Sequence, residues 1–300
     1  MTVSRREFLK GVAATAVAGV VPMGCGVLGH SRPASRIRFG CAAITWGGDD
    51  LRAIDEISAL RYPGIQLRSG AVAQFGADPA ALRARLAARR LTFVALSSGN
   101  LSIDPAREAA MIAEHVAHAR FLRDAGGLYL QLIDERPAGR AVTTDDCARL
   151  GGLLTRIGQR SAELGVTTVY HPHMGTIGER PDDAARVLAS ADPATVKLLL
   201  DVAHWQQGGG DPAAAIRRHR DRLALLHLKD VETIPTGDGY RFVELGRGRV
   251  DFPAVFAALR EVGYEGWAVV ELDSVAGVGH SAAAAAENNR RYLESRGFSF

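Results

Sequence analysis

The chain has few cysteines. Of 300 residues only Cys25, Cys41 and Cys147 are cysteine, and no two are spaced as Cys-x-x-Cys. That argues against a disulfide framework; Cys41 and Cys147 fall in apolar or helical context and are expected as buried thiols. Charge of one sign is also scarce. The net charge is +3, and Arg5, Arg6, Lys10 and Arg32 against Glu7 alone account for all of it. Removing those four cations and one anion from the totals of 36 and 33 leaves 32 of each. A main body without net charge offers no electrostatic footprint for nucleic acid or an anionic membrane. Neither a Gly-rich dinucleotide loop nor a phosphate-cradling glycine loop with a basic cluster is present. Long apolar runs are missing too. The longest, from Gly11 to Val21, is too short and too rich in Ala and Gly to span a membrane.

That run follows Ser4-Arg5-Arg6-Glu7-Phe8-Leu9-Lys10, a twin-arginine export signature. Residues 1–35 are therefore expected to be a signal peptide and linker, with residues 36–300 as the exported, periplasmic or envelope-associated domain. Met23-Gly24-Cys25 has the outline of a lipoprotein processing site, with Pro22 where an aliphatic residue is usual, so lipidation through Cys25 is a second route to the envelope. Pro22, Gly24, Gly26, Gly29 and Pro33 mark residues 22–36 as linker.

What the rest of the chain contains is a regular alternation. Short apolar runs at 37–44, 64–67, 92–96, 127–132, 167–171, 196–201, 223–228 and 267–272 read as strands buried on both faces. Helical patterns follow them, with Asp49, Thr143, Asp211-Pro212 and Pro181 as start signals. Eight such units, with no boundary that suggests a second domain, predict an α/β fold, a single (β/α)8 TIM barrel. The connection 229–250, far above the usual loop length, is expected to cover the active site.

Four consecutive strand candidates deliver metal-ligand residue types at their C-terminal ends, where barrel active sites lie. His171 ends the fifth, Asp201 the sixth, His227 the seventh and Glu271 the eighth. Any one of them alone has an ordinary explanation, a helix cap or a hydrogen-bonded imidazole; four in register point to one divalent ion. Two imidazoles and two carboxylates suit Mn, Co, Fe or Zn better than Mg. Lys229 is a candidate acid/base or oxyanion stabiliser, and His204 a candidate substrate contact or ligand-orienting group. His173 and Arg247 are candidate substrate contacts, and Trp46 a stacking floor for a polyol. His30, His115, His118, His219 and His280 receive no role.

The segments DVAH…GGGDP, LLHLKD, FVELGRGRVDF and GWAVVELD resemble the xylose isomerase-like TIM-barrel superfamily of sugar isomerases and epimerases. CAAITWGGDD and VYHPHMGT resemble its inosose dehydratase subgroup. The resemblance implies one divalent metal on Asp201, His227 and Glu271. His171 stands where much of the superfamily has Glu, and Gln66 where strand two often has Glu. It further implies proton abstraction beside the carbonyl of a keto-sugar or keto-polyol, leading to isomerisation, epimerisation or elimination. The competing readings are a metal-dependent glycoside hydrolase or lyase, suggested by the His171-x-His173 pair, and a non-catalytic sugar-binding envelope protein. The partners expected are the small-molecule substrate, the twin-arginine export machinery and other copies of the chain in a homo-oligomer.

Overall fold

The computed structural model describes residues 37–275 and 279–300. The export signature, Cys25 and His30 lie outside the described residues. Eight parallel strands close into a barrel. They are β1 (Ile37–Ala42), β2 (Gly64–Arg68), β3 (Thr92–Leu101), β4 (Tyr129–Asp134), β5 (Thr167–Tyr170), β6 (Val196–Asp201), β7 (Leu223–Leu228) and β10 (Gly266–Val270). Each pairs with its sequence neighbours in the barrel, and β1 closes it against β10. This is the expected (β/α)8 barrel.

Helices form where their start signals stand. Asp49 accepts from Arg52 N to begin α1 (Asp50–Ala59). After α2 (Gly70–Phe75), Asp78 caps α3 (Pro79–Ala88), with Pro79 in the first turn, where a missing N–H costs nothing. From Pro105 the chain makes one 3-10 turn and then α4 (Glu108–Asp124). A Thr143–Asp146 capping box opens α5 (Thr144–Ala162). The series continues with α6 (Pro181–Ser190), α7 (Val202–Gln207), α8 (Pro212–Arg218), α9 (Phe252–Glu261) and α10 (Ala282–Ser295). No described helix is long and apolar enough to cross a membrane. Cys41 and Cys147 are buried free thiols.

Alternation along the strands decides what fills the barrel. Val169, Leu199, Leu225 and Val269 pack together inside it with Val94 and Trp267. Trp267 is the largest fully buried side chain, and Gly64 makes room for it. A Cβ at Gly64 would lie 2.5 Å from the indole and 2.5 Å from Val94 Cγ2. Two residues further along the same strands, on the same inward face, stand His171, Asp201, His227 and Glu271. The apolar plug thus supports a polar layer at the C-terminal mouth.

The connection 229–250 is ordered as an antiparallel ribbon, β8 (Asp230–Thr233) with β9 (Tyr240–Val243). Asp230, fully buried, ties its return to the barrel. Oδ2 accepts from Gly246 N (2.9 Å) and Gly248 N (2.8 Å), and Oδ1 from Val231 N (2.8 Å) and Val250 N (3.1 Å). Four amides neutralise the cost of burying this carboxylate.

Candidate active site

The four strand-end side chains converge. His227 Nδ1 lies 3.4 Å from Glu271 Oε1 and 3.6 Å from Asp201 Oδ2, and His171 Nε2 is 3.8 Å from that same Oδ2. Their ligand atoms fall into two groups sharing Asp201, one with His171 and His204, the other with His227 and Glu271. Asp201 divides its oxygens. Oδ1 caps α7, accepting from Ala203 N (2.8 Å) and His204 N (3.0 Å), while Oδ2 faces the centre. The ordinary reading of this residue as a helix cap and its reading as a ligand therefore hold together, one for each oxygen.

Three inward atoms, His171 Nε2, Asp201 Oδ2 and His227 Nδ1, are buried without a hydrogen-bond partner. Buried polar atoms rarely stay unpaired, and two imidazole nitrogens 3.6 and 3.8 Å from one carboxylate oxygen form a donor set that a cation would complete. The charges agree. Asp201, Glu271 and Asp273 surround the single ammonium of Lys229, at 3.5, 2.7 and 2.7 Å. With His227 neutral, as an imidazole must be to act as a ligand, the shortfall of two positive charges equals one divalent ion. Imidazole and carboxylate donors of this kind fit Mn, Fe, Co or Zn.

The titrating groups respond to this field. Burial works against His227 carrying a proton, yet Glu271 and Asp201 outweigh it and hold its pKa up at about 9. His171 is pushed well below the ordinary imidazole value, first by burial and then by the charge of His227. Burial also opposes ionisation of Asp201 and Glu271, but Lys229 and the imidazoles prevail, holding both carboxyls below the usual range. Lys229, fully buried, is penalised by desolvation, but Asp273, Glu271 and Asp201 keep it an ammonium.

Around this centre lies a cleft of about 240 Å³, bordered by Gln66, Arg68, Ser97, Asn100, His173 and Asp273 among others. His173 Nδ1 is 2.7 Å from Met174 O. Facing a carbonyl, Nδ1 carries the hydrogen and donates, which leaves Nε2 as an acceptor. The loop bearing His173 is fixed from below by Asp134, buried at the end of β4, which accepts from Ile177 N and from Tyr170 Oη (2.9 Å). Burial raises Asp134 to about 6 despite these bonds. His204 stacks on His173 with ring centroids 3.6 Å apart, and its Nε2 lies 3.3 Å from Lys229 Nζ. Phe242 of the ribbon covers both partners, 4.6 Å from Lys229 Nζ and 4.7 Å from the His204 ring. The long connection does lie over the centre.

Two expected substrate contacts sit elsewhere. After β1 the chain enters a 3-10 turn, Ala43–Trp46, which carries the Trp46 ring into the layer between strands and helices. Its indole Nε1 donates to Glu56 Oε2 at 2.6 Å, and the ring borders no part of the cleft. Arg247 is an exposed side chain paired with Glu244 at 3.0 Å. The tight Gly246–Gly248 return, held by Asp230, leaves it on the outer face.

Residues assigned no role in the sequence reading complete the polar layer. Gln66 bridges His227 and Glu271, Gln131 meets His171 Nδ1 at 2.9 Å, and Asp273 pairs with Lys229. A glutamine at an inward position of an otherwise apolar strand, as in GIQLR and YLQLID, was the available signal. His115 and His118 both meet Ser98 Oγ, at 2.7 and 2.8 Å, on the outer side of β3.

Comparison with known proteins agrees with this fold. The model of the xylose isomerase-like TIM barrel family matches residues 54–296. The chain belongs to that family. Among its curated relatives is the inosose dehydratase of Lacticaseibacillus casei, 28% identical over 273 residues, covering 79% of this chain and 90% of that protein. Among solved structures, the zinc-bound IolI protein superposes with a TM-score of 0.74 at 17% identity, over 86% of this chain and 96% of that one. L-ribulose 3-epimerase does so with a TM-score of 0.71 at 19% identity, over 86% and 93%. At these identities the structural matches establish the fold.

Proposed function

We propose that this member of the family is a metal-dependent lyase that eliminates water from a cyclic keto-polyol of the inosose class. The observation that carries the reading is the meeting of three buried ligand atoms without hydrogen-bond partners beside a histidine that lines the same cleft. The names of the curated relatives favour elimination over epimerisation, and so does the site. Epimerisation needs a second base facing the first. Among the described residues the one further carboxylate on the cleft, Asp273, is taken up by Lys229 at 2.7 Å.

His171, Asp201, His227 and Glu271 would hold the ion. When bound, it supplies Lewis-acid polarisation of the substrate carbonyl. His173 Nε2 removes the proton α to that carbonyl. Burial, and then the charge of Lys229, hold His173 below the ordinary imidazole value, so it is neutral and ready to accept at pH 7. The Lys229 ammonium, fixed between carboxylates, offsets the negative charge that develops on the substrate without being free to act as a base. The imidazolium formed at His173 returns its proton to the departing β-hydroxyl. The products are an unsaturated ketone and water, and the histidine is restored. A cleft of about 240 Å³ suits a single ring.

The test is NMR in D2O on the Mn-, Co- or Zn-treated protein with keto-inositols, ketohexoses and 3-keto-glycosides. The reading expects loss of the α-proton signal of a keto-inositol with growth of an enone. His173→Gln should lower the rate by 10²–10⁴-fold while the protein still takes up metal. Exchange at the α carbon without enone would establish isomerase or epimerase chemistry instead. Chelator-sensitive cleavage of a glycoside would establish hydrolysis. We also propose export through Arg5-Arg6, which predicts cytoplasmic retention of the Arg5→Lys, Arg6→Lys chain in cell fractionation.

A further inference from the structure

Gln66 stands on β2, inside the barrel, with 3% of its surface exposed. Its side-chain amide lies between two of the four converging residues. Oε1 is 2.9 Å from His227 Nε2, and Nε2 is 3.2 Å from Glu271 Oε2. The two contacts demand opposite things. His227 must give a hydrogen to Oε1, since an amide oxygen only accepts; Glu271 Oε2 must receive one, since a carboxylate only accepts. A primary amide supplies one acceptor and one donor at this spacing. Glutamate would supply the acceptor alone and set a second carboxylate against Glu271.

The consequence lies on the other side of each partner. In the neutral imidazole that a ligand must be, the hydrogen given to Gln66 stays on Nε2 and the lone pair is on Nδ1, the atom that lies without a hydrogen-bond partner between Asp201 Oδ2 and Glu271 Oε1. With Oε2 of Glu271 held, Oε1 is the oxygen turned inward. Gln131 stands in the same relation to His171. Its Nε2 lies 2.9 Å from His171 Nδ1 while its own Oε1 is buried without a partner. Exchanging the two ends of that amide changes no shape. It gives Oε1 the Nδ1 hydrogen and leaves the lone pair of His171 on Nε2, again the inward atom.

We propose that Gln66 is a positioning residue that presets the metal centre, fixing the His227 tautomer and the Glu271 carboxylate from one side chain, with Gln131 doing the same for His171. This rests on the metal-centre reading above. It accounts for the departure at this position, where the resemblance leads one to expect glutamate. With the ligands already carrying two carboxylates, a neutral bridge leaves the charge balance of the centre unchanged. Groups that orient metal ligands in this way typically affect metal affinity by 10–100-fold.

The experiment uses the full chain, with Co(II) as probe. Its affinity is measured by competition with a chromophoric chelator, and its geometry by the visible absorption spectrum. Gln66→Met keeps the length and volume but removes both hydrogen bonds; Gln66→Glu keeps the bond to His227 alone. The Met variant should bind Co(II) 10–100-fold more weakly with an altered spectrum. Long-range ¹H–¹⁵N NMR of the zinc-loaded protein should show His227 bound through Nδ1 in the wild type and the Glu variant, and a lost or mixed pattern in the Met variant. Far-UV circular dichroism controls for folding. If the Met variant fails to fold, the Glu variant decides by the same NMR signal. Wild-type affinity, spectrum and Nδ1 coordination in the Met variant, or loss of Nδ1 coordination in a folded Glu variant, overturns the proposal. If the wild type takes up no Co(II), the metal-centre reading itself falls, and that is a different result from wild-type uptake matched by the variants.

Discussion

Removing the buried ammonium gives the clearest quantitative test of the charge balance at the barrel mouth. Lys229 Nζ is 2.7 Å from Glu271 Oε1, 2.7 Å from Asp273 Oδ1 and 3.5 Å from Asp201 Oδ2. At an effective dielectric of about 20, each close contact corresponds to a Coulomb attraction of about 6 kcal/mol before desolvation is counted. The Asp273 side chain is 34% exposed, so water screens much of its share. The remaining pair is buried, and breaking a buried pair by deleting one partner costs about 3–5 kcal/mol. Lys229→Met is therefore expected to destabilise the chelator-treated protein by about 3–5 kcal/mol in urea denaturation. Saturating Mn should shrink that difference by at least half. This requires the variant's centre, more anionic by one charge, to bind the dication about 10–100-fold more tightly than the wild type does, since a ligand specific to the folded state stabilises it according to its affinity. A loss below about 1 kcal/mol, or an equal loss with and without Mn, would refute the assignment of Lys229 as one of the cations that balance this centre.

Metal affinity should depend on pH through His227. Its pKa is held up at about 9, and the proton and the ion compete for Nδ1, so affinity measured by calorimetry should rise with pH to about 9 and then level; a flat profile contradicts this. Gly248→Ala places a Cβ 2.3 Å from Asp230 Oδ1 and 2.4 Å from Val231 O. It should cost about 2 kcal/mol or more and strip hydrogen-exchange protection from the amides of Gly246, Gly248 and Val250; retained protection would show the cradle to be unimportant. Burial, and then the charge of His118, lower His115 to about 4. Because 6.5 is its unfolded value, the unfolded chain binds more protons between these limits. Stability is then lost as pH falls from 6.5 to 4, by about 3 kcal/mol at most. Asp134, raised from 3.8 to about 6, works in the opposite sense over 6 to 3.8. His115→Gln should therefore flatten or reverse the acid slope of the unfolding free energy, and an unchanged slope contradicts the assignment.

The barrel was legible because its strands are apolar on both faces and its helices carry explicit start signals. The strand-end residues could be placed at the mouth because position in a barrel strand fixes which end a side chain occupies. Side-chain direction was harder to read. Asp201 caps α7 with one oxygen and faces the centre with the other, which residue type alone does not reveal. Trp46 turned away because a 3-10 turn, set by local backbone geometry, rotates it out of the strand's alternation. Arg247 was displaced by the glycine return that Asp230 holds, a pairing across 16 to 18 residues that no local pattern encodes. The short helix α7, carrying His204, has too few residues for a periodic signal. Gln66 and Gln131 are quiet in sequence because their effect passes through the tautomers of other residues.

The proposed divalent metal centre is made by four side chains at the C-terminal ends of β5, β6, β7 and β10. Anomalous diffraction from a crystal grown with Mn tests it most directly. A single strong peak is expected within bonding distance of His171 Nε2, Asp201 Oδ2, His227 Nδ1 and Glu271 Oε1, with Lys229 remaining against Asp273. A protein that takes up no Mn, or a peak that leaves His171 or Glu271 out of the ligand set, would contradict it.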